Sequence, residues 1–536
     1  MPPPASLSRR TLLAAAVGTA MTACTAPPPP SPPPTPTPAP PSGPDGWVPD
    51  LLQVAPDGRL GYRSKDGHRL PDFGAAGYRG GRDPLPDVVV VHTVGPIPGD
   101  NTAHLQQAID HVAGLPRDRE GFRGALLLRP GVYEVAGTLT VAAGGVVVRG
   151  AGDGDSSDDT ILRAVGDTPH GRDVIVLGSR GSWRGALPGT RTDLTTDLVP
   201  VGTTTVGVAD PSGLRADHLV VVTHPCTREW LRAVGGGGTR RDDPWEQDSV
   251  PITHLRRVTD VSGHDVTLDA PLFYDLDRSV SPGSLHAWDA AGLVTQVGLE
   301  DLRVDIVTTG GAEDEDHAET GVRITNVRDG WVRGCTVLHF TKAGFLTIGT
   351  SQTTITGCHA LDPVSRITGG RRYNFDAEER SQLVLFTDCH ATEARHAFIV
   401  NGASSASGIV FHRTTATGGH ASSEGHRLWS QGLLFDNHRE IDPRTDRAVL
   451  LGSRGDYGTG HGWSAVNSVA WQVDAGGAGV VVQRPPTAQN YAIGCRNGRV
   501  DGNGPFDERT GHIEGTGRRG LTPASLFEAQ RIDRTR

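Results

Sequence analysis

Short β-rich runs recur in the middle of this chain with no helical segment between them. Four of them, WVRGCTVLHF, TTITGCHALD, LVLFTDCHAT and IVFHRTTATG, align so that Cys335, Cys358, Cys389 and Thr414 occupy one position. The spacings of 23, 31 and 25 residues are typical of the coils of a solenoid. Strands without intervening helices exclude a doubly wound sheet. The repeat therefore predicts a solenoid in which small, buried thiols stack in an internal column.

The segment before this repeat combines a helix start with further short strands. Residues 99–110 read GDNTAHLQQAID, in which Asp100 or Asn101 can cap a helix. The apolar stripe of that helix consists of Leu105, Ala108 and Ile109. The runs ALLLRPGVYEV and GGVVVRGAG follow, with strand-like stretches of four to six residues broken by Gly and Pro. A helix at the entrance of the solenoid is therefore expected.

These three runs in this order resemble the N-terminal cap and first coils of the pectate-lyase superfamily. The resemblance implies an all-β fold, a single-stranded right-handed parallel β-helix with an N-terminal helix cap. It covers most of residues 55–530, and the β-helix domain is expected over residues 47–530. No catalytic motif of a characterised family matches residue by residue, so the candidate site below is inferred from the repeat alone.

The repeat of short strands is interrupted at about residues 196–275, where we expect an inserted β-module. The segment contains strand-like runs on both sides of a Gly-rich loop. Its Trp230 and Trp245 either line a sugar groove or pack inside the module, and both alternatives stay open. The C-terminal run LTPASLFEAQRIDRTR predicts a short helix that closes the last coil.

The first 46 residues have the composition of an export signal and a spacer. Ser8-Arg9-Arg10 before a short apolar run resembles a Tat signal, and Thr22-Ala23-Cys24 resembles a lipobox. The run is too short to span a bilayer of roughly 30 Å as a helix. We expect a signal peptide at residues 1–24, lipidation at Cys24 and an extended Pro-rich linker at residues 25–46. The alternative is a plain signal peptide in which Cys24 is incidental.

Composition narrows the choice of partners. The chain has 51 Lys+Arg against 61 Asp+Glu, a formal charge of −10, which argues against a nucleic-acid-binding protein. Its six cysteines show no paired zinc spacing. Scattered carboxylates could bind Ca²⁺, but no ligand loop is readable, so no cofactor is predicted. We expect a monomer, exported by Tat and lipid-anchored on the extracytoplasmic face of the cell membrane, where the anchor is its only membrane contact.

A second set of aligned positions follows the cysteine column. The runs KAGFL, RRYNF, RHAFI and HRLWS align without gaps, which predicts an aromatic column of Phe345, Phe375, Phe398 and Trp429. Three residues earlier in each run stand Lys342, Arg372, Arg395 and His426. The next position holds Ala343, Tyr373, His396 and Arg427. Coils of a parallel β-helix lie about 4.8 Å apart, so these side chains would form one compact basic patch.

The residue types in this patch suit the β-elimination of a uronate. Guanidinium groups pair with carboxylates, while a tyrosine or histidine transfers the proton. The catalytic candidates are Tyr373, His396, His426 and Arg395. The candidates for substrate binding are Arg372, Asn374, Glu424, Arg427, Trp429, His461 and Trp463. The sequence thus predicts a lyase that acts on an acidic polysaccharide.

Three alternatives to this reading remain. Strand parity puts Tyr373 on the same side as Phe375, which would bury it unless a turn at Gly369-Gly370 breaks the alternation. A glycoside hydrolase on the same fold would instead use a carboxylate pair. The candidates for that pair are Asp376, Asp388, Glu393, Glu424 and Asp436. A non-catalytic cell-surface glycan-binding protein is the third alternative, because a fold does not determine a function.

Overall fold

The coils of this chain stack through parallel strand pairing. The structure, a computed structural model, describes residues 46–166, 171–179, 185–239 and 245–536. In this part of the chain, strands at one position of a coil pair in parallel with strands at the same position of the next coil. Three such ladders run along the solenoid, and they are called here the first, second and third faces. The prediction of an all-β parallel β-helix is confirmed.

The strands are short, in keeping with the frequent Gly and Pro residues. The first face consists of Val90–Val94, Gly124–Leu128, Val146–Arg149, the N-terminal halves of Gly298–Ile306 and Trp331–Leu338, Thr354–Thr356, Leu385–Thr387, Ser407–His412, Ser430–Asp436, Ala465–Val466, Val469–Trp471, Tyr491–Ile493 and His512–Glu514. The second face consists of Gly131–Val135, Thr160–Ala164, the C-terminal halves of the same two long strands, His359–Leu361, His390–Thr392, Thr415–Thr417 and Arg439–Ile441. The third face consists of Leu139–Val141, Asp173–Gly178, Thr320–Thr325, Ala343–Ile348, Tyr373–Ala377, His396–Val400, Ser423–Gly425, Arg447–Leu451, Gly479–Val482 and Arg499–Asp501.

The cysteine column forms as predicted. The residues that directly follow the column positions pair from coil to coil: Thr336 with His359, His359 with His390, and His390 with Thr415. The column positions therefore also lie side by side on neighbouring coils. They are Cys335, Cys358, Cys389 and Thr414, and all four are buried. Small side chains are favoured there because the interior between the three faces is narrow and close-packed.

The aromatic column is shorter than predicted. Phe345, Phe375 and Phe398 stack with ring centroids 5.2 and 4.9 Å apart. In the next coil Glu424 pairs with Ile399, which places Ser423, and not Trp429, opposite Phe398. The gap-free alignment of HRLWS was therefore wrong by six residues. Turns between faces lie at the surface and vary in length, so the register is lost across them.

An amphipathic helix covers the entrance of the solenoid. It spans Thr102–Ala113 and buries the predicted stripe against the first coils. The Asp100 carboxylate accepts a hydrogen bond from the Thr102 amide at 2.9 Å, which satisfies one free N–H of the first turn. The predicted helix cap is confirmed.

The inserted module is an antiparallel sheet with a core of its own. Its six strands are Thr192–Asp193, Thr205–Gly207, Leu219–His224, Ile252–Ser262, Asp265–Leu268 and Ser284–Ala287. A separate pair joins Leu198–Val199 to Leu276–Asp277, and a short helix spans Arg228–Ala233. These strands occupy a longer segment than residues 196–275. Trp230 and Trp245 are buried against Trp429 of the solenoid, at centroid distances of 5.3 and 6.2 Å, so they pack and line no groove.

The C-terminal helix, Leu526–Arg534, lies along the first face and does not close the last coil as predicted. Leu526 and Phe527 pack there beside the N-terminal segment, which begins with the hairpin Leu52–Val54 and Leu60–Tyr62. The Asp436 carboxylate accepts hydrogen bonds from the Ser525 hydroxyl and the Phe527 amide, both at 2.8 Å. A carboxylate at a helix N-terminus satisfies free N–H groups, so Asp436 fastens this helix to the solenoid.

Stability should decrease with rising pH because of Asp436. Burial raises the pKa of this carboxyl from 3.8 to about 7. The folded protein therefore holds this proton more tightly than the unfolded chain does, and the resulting stabilisation is complete below about pH 4 and lost as the pH rises through 7. We expect the thermal midpoint to fall between pH 5 and pH 8, and Asp436→Asn to flatten that part of the profile. Equal slopes for the two proteins would contradict this role.

The predicted leader and linker lie outside the described residues, apart from Gly46. This includes the Tat signal and the lipidation site at Cys24. Within the described residues, none of the helices combines the length and the apolar composition needed to span a membrane.

Candidate functional site

Four aromatic and imidazole rings from successive coils meet on the outer side of the third face. Tyr373 lies 5.5 Å from His396 and 5.6 Å from His426, measured between ring centroids. His426 lies 5.1 Å from His396 and 5.0 Å from His461. These four residues are called here the ring cluster. The cluster therefore contains three of the four predicted catalytic residues and one predicted binding residue, and the fourth catalytic candidate, Arg395, contacts Tyr373.

An irregularity in the strands places Tyr373 outside the solenoid. Tyr373 pairs with His396 and Phe375 with Phe398, but the ladder skips the residue between them. That residue, Asn374, turns its amide inward and donates to the carbonyls of Ala360 and Thr392 at 2.8 and 2.9 Å. Tyr373 and Phe375 therefore do not share a side, which resolves the parity conflict. The Gly370 turn lies just before the strand, with φ of 75°.

The phenol oxygen of Tyr373 accepts two hydrogen bonds. One comes from Nη1 of Arg395 at 3.0 Å and the other from the Gly370 amide at 3.1 Å. Among the described residues, Arg395 has no carboxylate partner, and the Tyr373 hydroxyl has no acceptor for its own proton. Arg395 is half-buried at the edge of the cluster. The site therefore presents an unneutralised guanidinium beside a phenol whose proton is free to be donated.

His396 is held as a neutral imidazole. Its Nδ1 lies 2.7 Å from the Ser422 carbonyl, which can only accept, so Nδ1 carries the proton. Nε2 is then an acceptor, and it is buried with no partner among the described residues. Burial lowers the pKa of His396 to about 3. Burial likewise lowers the pKa of His461 to about 4, with the Arg454 charge as a smaller cause.

Glu424 is bound within the protein. Its carboxylate accepts from the Ser422 hydroxyl at 2.7 Å and contacts Nδ1 of His426 at 2.8 Å. Arg454 contacts both Glu424 and the His426 ring. Burial and the Arg454 charge lower the pKa of His426. The buried Glu424 carboxylate is already occupied by Ser422, His426 and Arg454, so the prediction that it binds substrate is wrong and its role is to anchor Arg454 and His426.

His396, Glu424 and His426 are the described residues that could hold a metal ion. Their donor atoms lie within 4.8 Å of one another. The guanidinium of Arg454 contacts two of the three and supplies positive charge where an ion would stand. The Ser422 carbonyl already occupies one nitrogen of His396. This donor set therefore suits an arginine better than a divalent cation.

Four other predicted binding residues lie away from the cluster surface, which corrects those predictions. Arg372 is buried, and its Nε donates to the Ser365 carbonyl at 3.0 Å, bracing the turn before Tyr373. Asn374 points into the solenoid, as described above. Trp429 and Trp463 are buried in the core shared with the inserted module. Local strand patterns could not reveal this, because the covering module lies about 200 residues away in sequence.

Arg427 and Tyr457 lie at the rim of the cluster. Arg427 is half-buried and pairs with Glu379 at 2.5 Å. Tyr457, which the sequence analysis did not single out, is 48% exposed and contacts the edge of Phe506 at 5.0 Å. The guanidinium of Arg454 lies 5.7 Å from its ring centroid. An exposed ring fixed in this way can stack against a sugar. The sequence feature that could have identified Tyr457 is its position in the Gly-rich loop GDYGTGHGW.

Asp376 is a buried carboxyl beside the cluster. It is fully buried, and neither carboxyl oxygen has a hydrogen-bond partner among the described residues. Burial, and then the charge of Glu378, raise its pKa well above the usual value. Asp376 pairs with Ile399 and Ile399 with Glu424, so two strand spacings, about 9.6 Å, separate the backbones of the two acidic residues.

The other three candidates for a hydrolase pair are engaged elsewhere. Asp388 pairs with Arg413 at 2.7 Å, and Glu393 pairs with Arg444 at 2.6 Å. Asp436 fastens the C-terminal helix. Only Asp376 and Glu424 of that set lie beside the ring cluster.

No family model and no curated protein matches this sequence. Among solved structures, the chain is similar to the tailspike protein gp49 from Pseudomonas phage LKA1, with a TM-score of 0.42 and 15% identity over 75% of this chain. It spans 64% of that tailspike's length. The strand ladders by themselves establish the architecture of this chain, which is a parallel β-helix.

Two solved enzymes are similar over nearly their whole length. An alginate lyase from Paenibacillus sp. str. FPU-7 matches with a TM-score of 0.39 and 9% identity, over 80% of this chain and 99% of that chain. A polygalacturonase from Erwinia carotovora ssp. carotovora matches with a TM-score of 0.40 and 9% identity, over 80% of this chain and 98% of that chain. These likenesses concern the fold, and the chemistry has to be argued from the site.

Proposed function

We propose that this protein is an extracytoplasmic carbohydrate-active enzyme, a polysaccharide lyase that cleaves a uronate-containing polysaccharide by β-elimination. The observation that carries the proposal is the hydrogen bond from Arg395 to the Tyr373 phenol oxygen, made by a guanidinium with no carboxylate partner among the described residues. An acidic sugar supplies the missing carboxylate. Capture of that carboxylate by Arg395 would bring the sugar ring to the phenol.

Arg395 has two roles in this scheme. Its planar guanidinium pairs with the C6 carboxylate of the uronate through charge-assisted hydrogen bonds. Neutralising that carboxylate makes the neighbouring C5 proton easier to remove. The same guanidinium donates to the Tyr373 oxygen at 3.0 Å, which fixes the phenol beside the captured carboxylate.

Tyr373 is the proton carrier that fits best. His396 is a weak base because burial lowers its pKa to about 3. Burial and Arg454 weaken His426 in the same way. Before the polymer binds, the Tyr373 phenol loses its proton to solvent and becomes the reactive phenolate. The phenolate takes the C5 proton, the C5–H electrons form the C4=C5 double bond, and the C4–O bond breaks. The leaving oxygen then receives the proton from the Tyr373 hydroxyl, which restores the phenolate.

The residues around Tyr373 position the polymer. Tyr457 offers a ring face, while Arg427 and His461 are half-buried at the rim. His396 and His426 remain neutral and pack against the Tyr373 ring, which limits its contact with water. The charge of Arg395 is therefore weakly screened at the phenol oxygen. Substrate binding then depends mainly on the rim, and proton transfer on the buried phenol.

Arg395→Ala should lower kcat/KM on acidic polymers by about 10–100-fold, because a hydrogen bond to a charged group contributes roughly 1.5–3 kcal/mol. The assay offers alginate, polygalacturonate and hyaluronan and follows the absorbance of the unsaturated product near 235 nm. Arg499→Ala is the matched control, since Arg499 is an exposed arginine paired with Asp501. Equal loss in both variants, or no absorbance on any uronate polymer, would contradict the lyase proposal.

The buried carboxyl of Asp376 supports a second candidate function, that of a glycoside hydrolase whose site lies on the same face. Burial raises the pKa of the Asp376 carboxyl, which favours its neutral form, and a neutral carboxyl can act as a general acid. Its partner on the same face would be Glu424, but Glu424 is bound to Arg454 and His426. This enzyme would release reducing ends without absorbance at 235 nm, and Asp376→Asn would abolish the release. Retention of a polymer with neither product would indicate a glycan-binding protein.

In the proposed function the enzyme is exported by Tat and lipid-anchored through Cys24, which Ser8-Arg9-Arg10 and Thr22-Ala23-Cys24 support. Cys24→Ala should move the protein from the detergent phase into the aqueous phase, because one residue carries the lipid. Arg9→Lys with Arg10→Lys should block export. Thr35→Ala in the linker is the control. Unchanged phase partitioning of the Cys24→Ala protein would rule out the anchor.

A further inference from the structure

A polar cleft opens on a different part of the molecule from the ring cluster. It measures about 700 Å³, within the range of roughly 300–1,000 Å³ typical of small-molecule sites. Three parts of the chain line it: the turn at 79–83, the inserted module and the early coils of the solenoid. The described part of the cleft contains no residue of the ring cluster. Its chemistry is therefore independent of Tyr373.

The floor of the cleft is built from buried polar groups. Asp269 accepts from Nη2 of Arg328 at 2.8 Å and from the Gln352 amide at 3.1 Å. Arg328 also donates to Gln352 at 2.6 Å. All three side chains are less than one-tenth exposed. This network holds donors and acceptors in place before any ligand arrives, which lowers the entropic cost of binding.

The mouth of the cleft combines both charges. Arg82 and Asp83 are exposed on one side, and Asp217 is exposed on the other. Arg257 reaches Asp217 at 3.4 Å, while its Nε is buried without a hydrogen-bond partner among the described residues. That Nε lies 4.0 Å from the Asp269 carboxylate, so Arg257 connects the exposed Asp217 at the mouth to the buried floor.

The charges in the lining select a class of ligand. Four arginines and four aspartates line the cleft, and three of the arginines are paired with aspartates. At the floor, a charged ligand would have to separate Arg328 from Asp269, and a buried charge without its partner is costly. A hydroxyl both donates and accepts, so it can bond to the aspartate and the arginine of one pair at once. Uncharged polyhydroxyl compounds therefore fit best.

We infer that this cleft is a second, non-catalytic site that binds a neutral glycan segment. It adds a function to the proposed lyase and does not depend on the chemistry of that reaction.

The test uses the full chain and three neutral probes, cellohexaose, maltohexaose and xylohexaose, in titration calorimetry. We expect at least one probe to bind, and Arg82→Ala with Asp217→Ala to weaken that binding at least tenfold. The matched control is Arg119→Ala with Asp158→Ala, which also removes one exposed charge of each sign elsewhere on the solenoid. The control and Tyr373→Phe should bind as the wild type does.

Three results would overturn the inference. They are no binding of any neutral probe, unchanged binding in the Arg82/Asp217 variant, and loss of binding in Tyr373→Phe, which would assign the sugar to the ring cluster. Failure of the lyase assay would leave the calorimetric result intact, so the two proposals fail separately.

Discussion

Tyr373→Phe should lower turnover of the uronate polymer by about 10²–10⁴-fold, because the variant lacks the only hydroxyl that the scheme uses for proton transfer. The ring remains, so its contacts with His396 and His426 should persist. Polymer binding should therefore change little, and the loss should appear in kcat more than in KM. Initial rates at 235 nm over a range of substrate concentrations separate the two parameters.

Tyr133→Phe is the matched control for this substitution. Tyr133 is also a buried tyrosine on a β-strand, and its hydroxyl donates to the Arg129 carbonyl at 2.8 Å, far from the ring cluster in sequence. It should show wild-type kinetics with a small loss of stability. Wild-type turnover in Tyr373→Phe would remove the phenol from the mechanism, and attention would then move to Asp376.

Arg454→Met should destabilise the protein by about 3–5 kcal/mol, because it leaves the Glu424 carboxylate buried without its cation. The side chains of Arg454 and Glu424 are 8% and 2% exposed, so water cannot replace the lost partner. The midpoint of denaturant unfolding should shift accordingly. The change should be larger than that of an exposed pair such as Arg59 and Asp57.

Glu424→Gln in the Arg454→Met background should restore most of this loss. The double variant no longer buries a charge, and the glutamine still accepts from the Ser422 hydroxyl. Recovery would assign Glu424 and Arg454 to structure rather than to substrate binding. If the stability loss of the double variant equals the sum of the losses of the two single variants, that assignment is contradicted.

Much of the solenoid could be predicted because its signals are local. Cys335, Cys358 and Cys389 mark one phase of successive coils, and a strand side chain points inward or outward by its phase alone. The entrance helix was equally readable, because its apolar stripe repeats with the helical period. Tyr373 and His396 could be paired for the same reason, since their coils align without a gap.

The fourth coil of the repeat does not follow the local pattern of the first three. The turn before Ser423–Gly425 changes the phase, so His426 reaches the cluster from the end of a strand and not from the aligned position. Turn length responds to surface contacts that no local period records. Arg454 was missed as a site residue for a related reason: its importance lies in its buried contacts with Glu424 and His426, and burial depends on what covers a residue.

The sequence alone determined the fold class, the entrance helix, the cysteine column and the neighbourhood of Tyr373, His396 and Arg395, because short-range periodicity encodes which side chains share a face. Only the tertiary structure decided that Trp230, Trp245, Trp429 and Trp463 form a core. It also decided that Glu424 is bound to Arg454 and that Asn374 turns inward. Those outcomes depend on contacts between segments far apart in the chain, and the free energy of such contacts is set by packing and desolvation rather than by any local pattern.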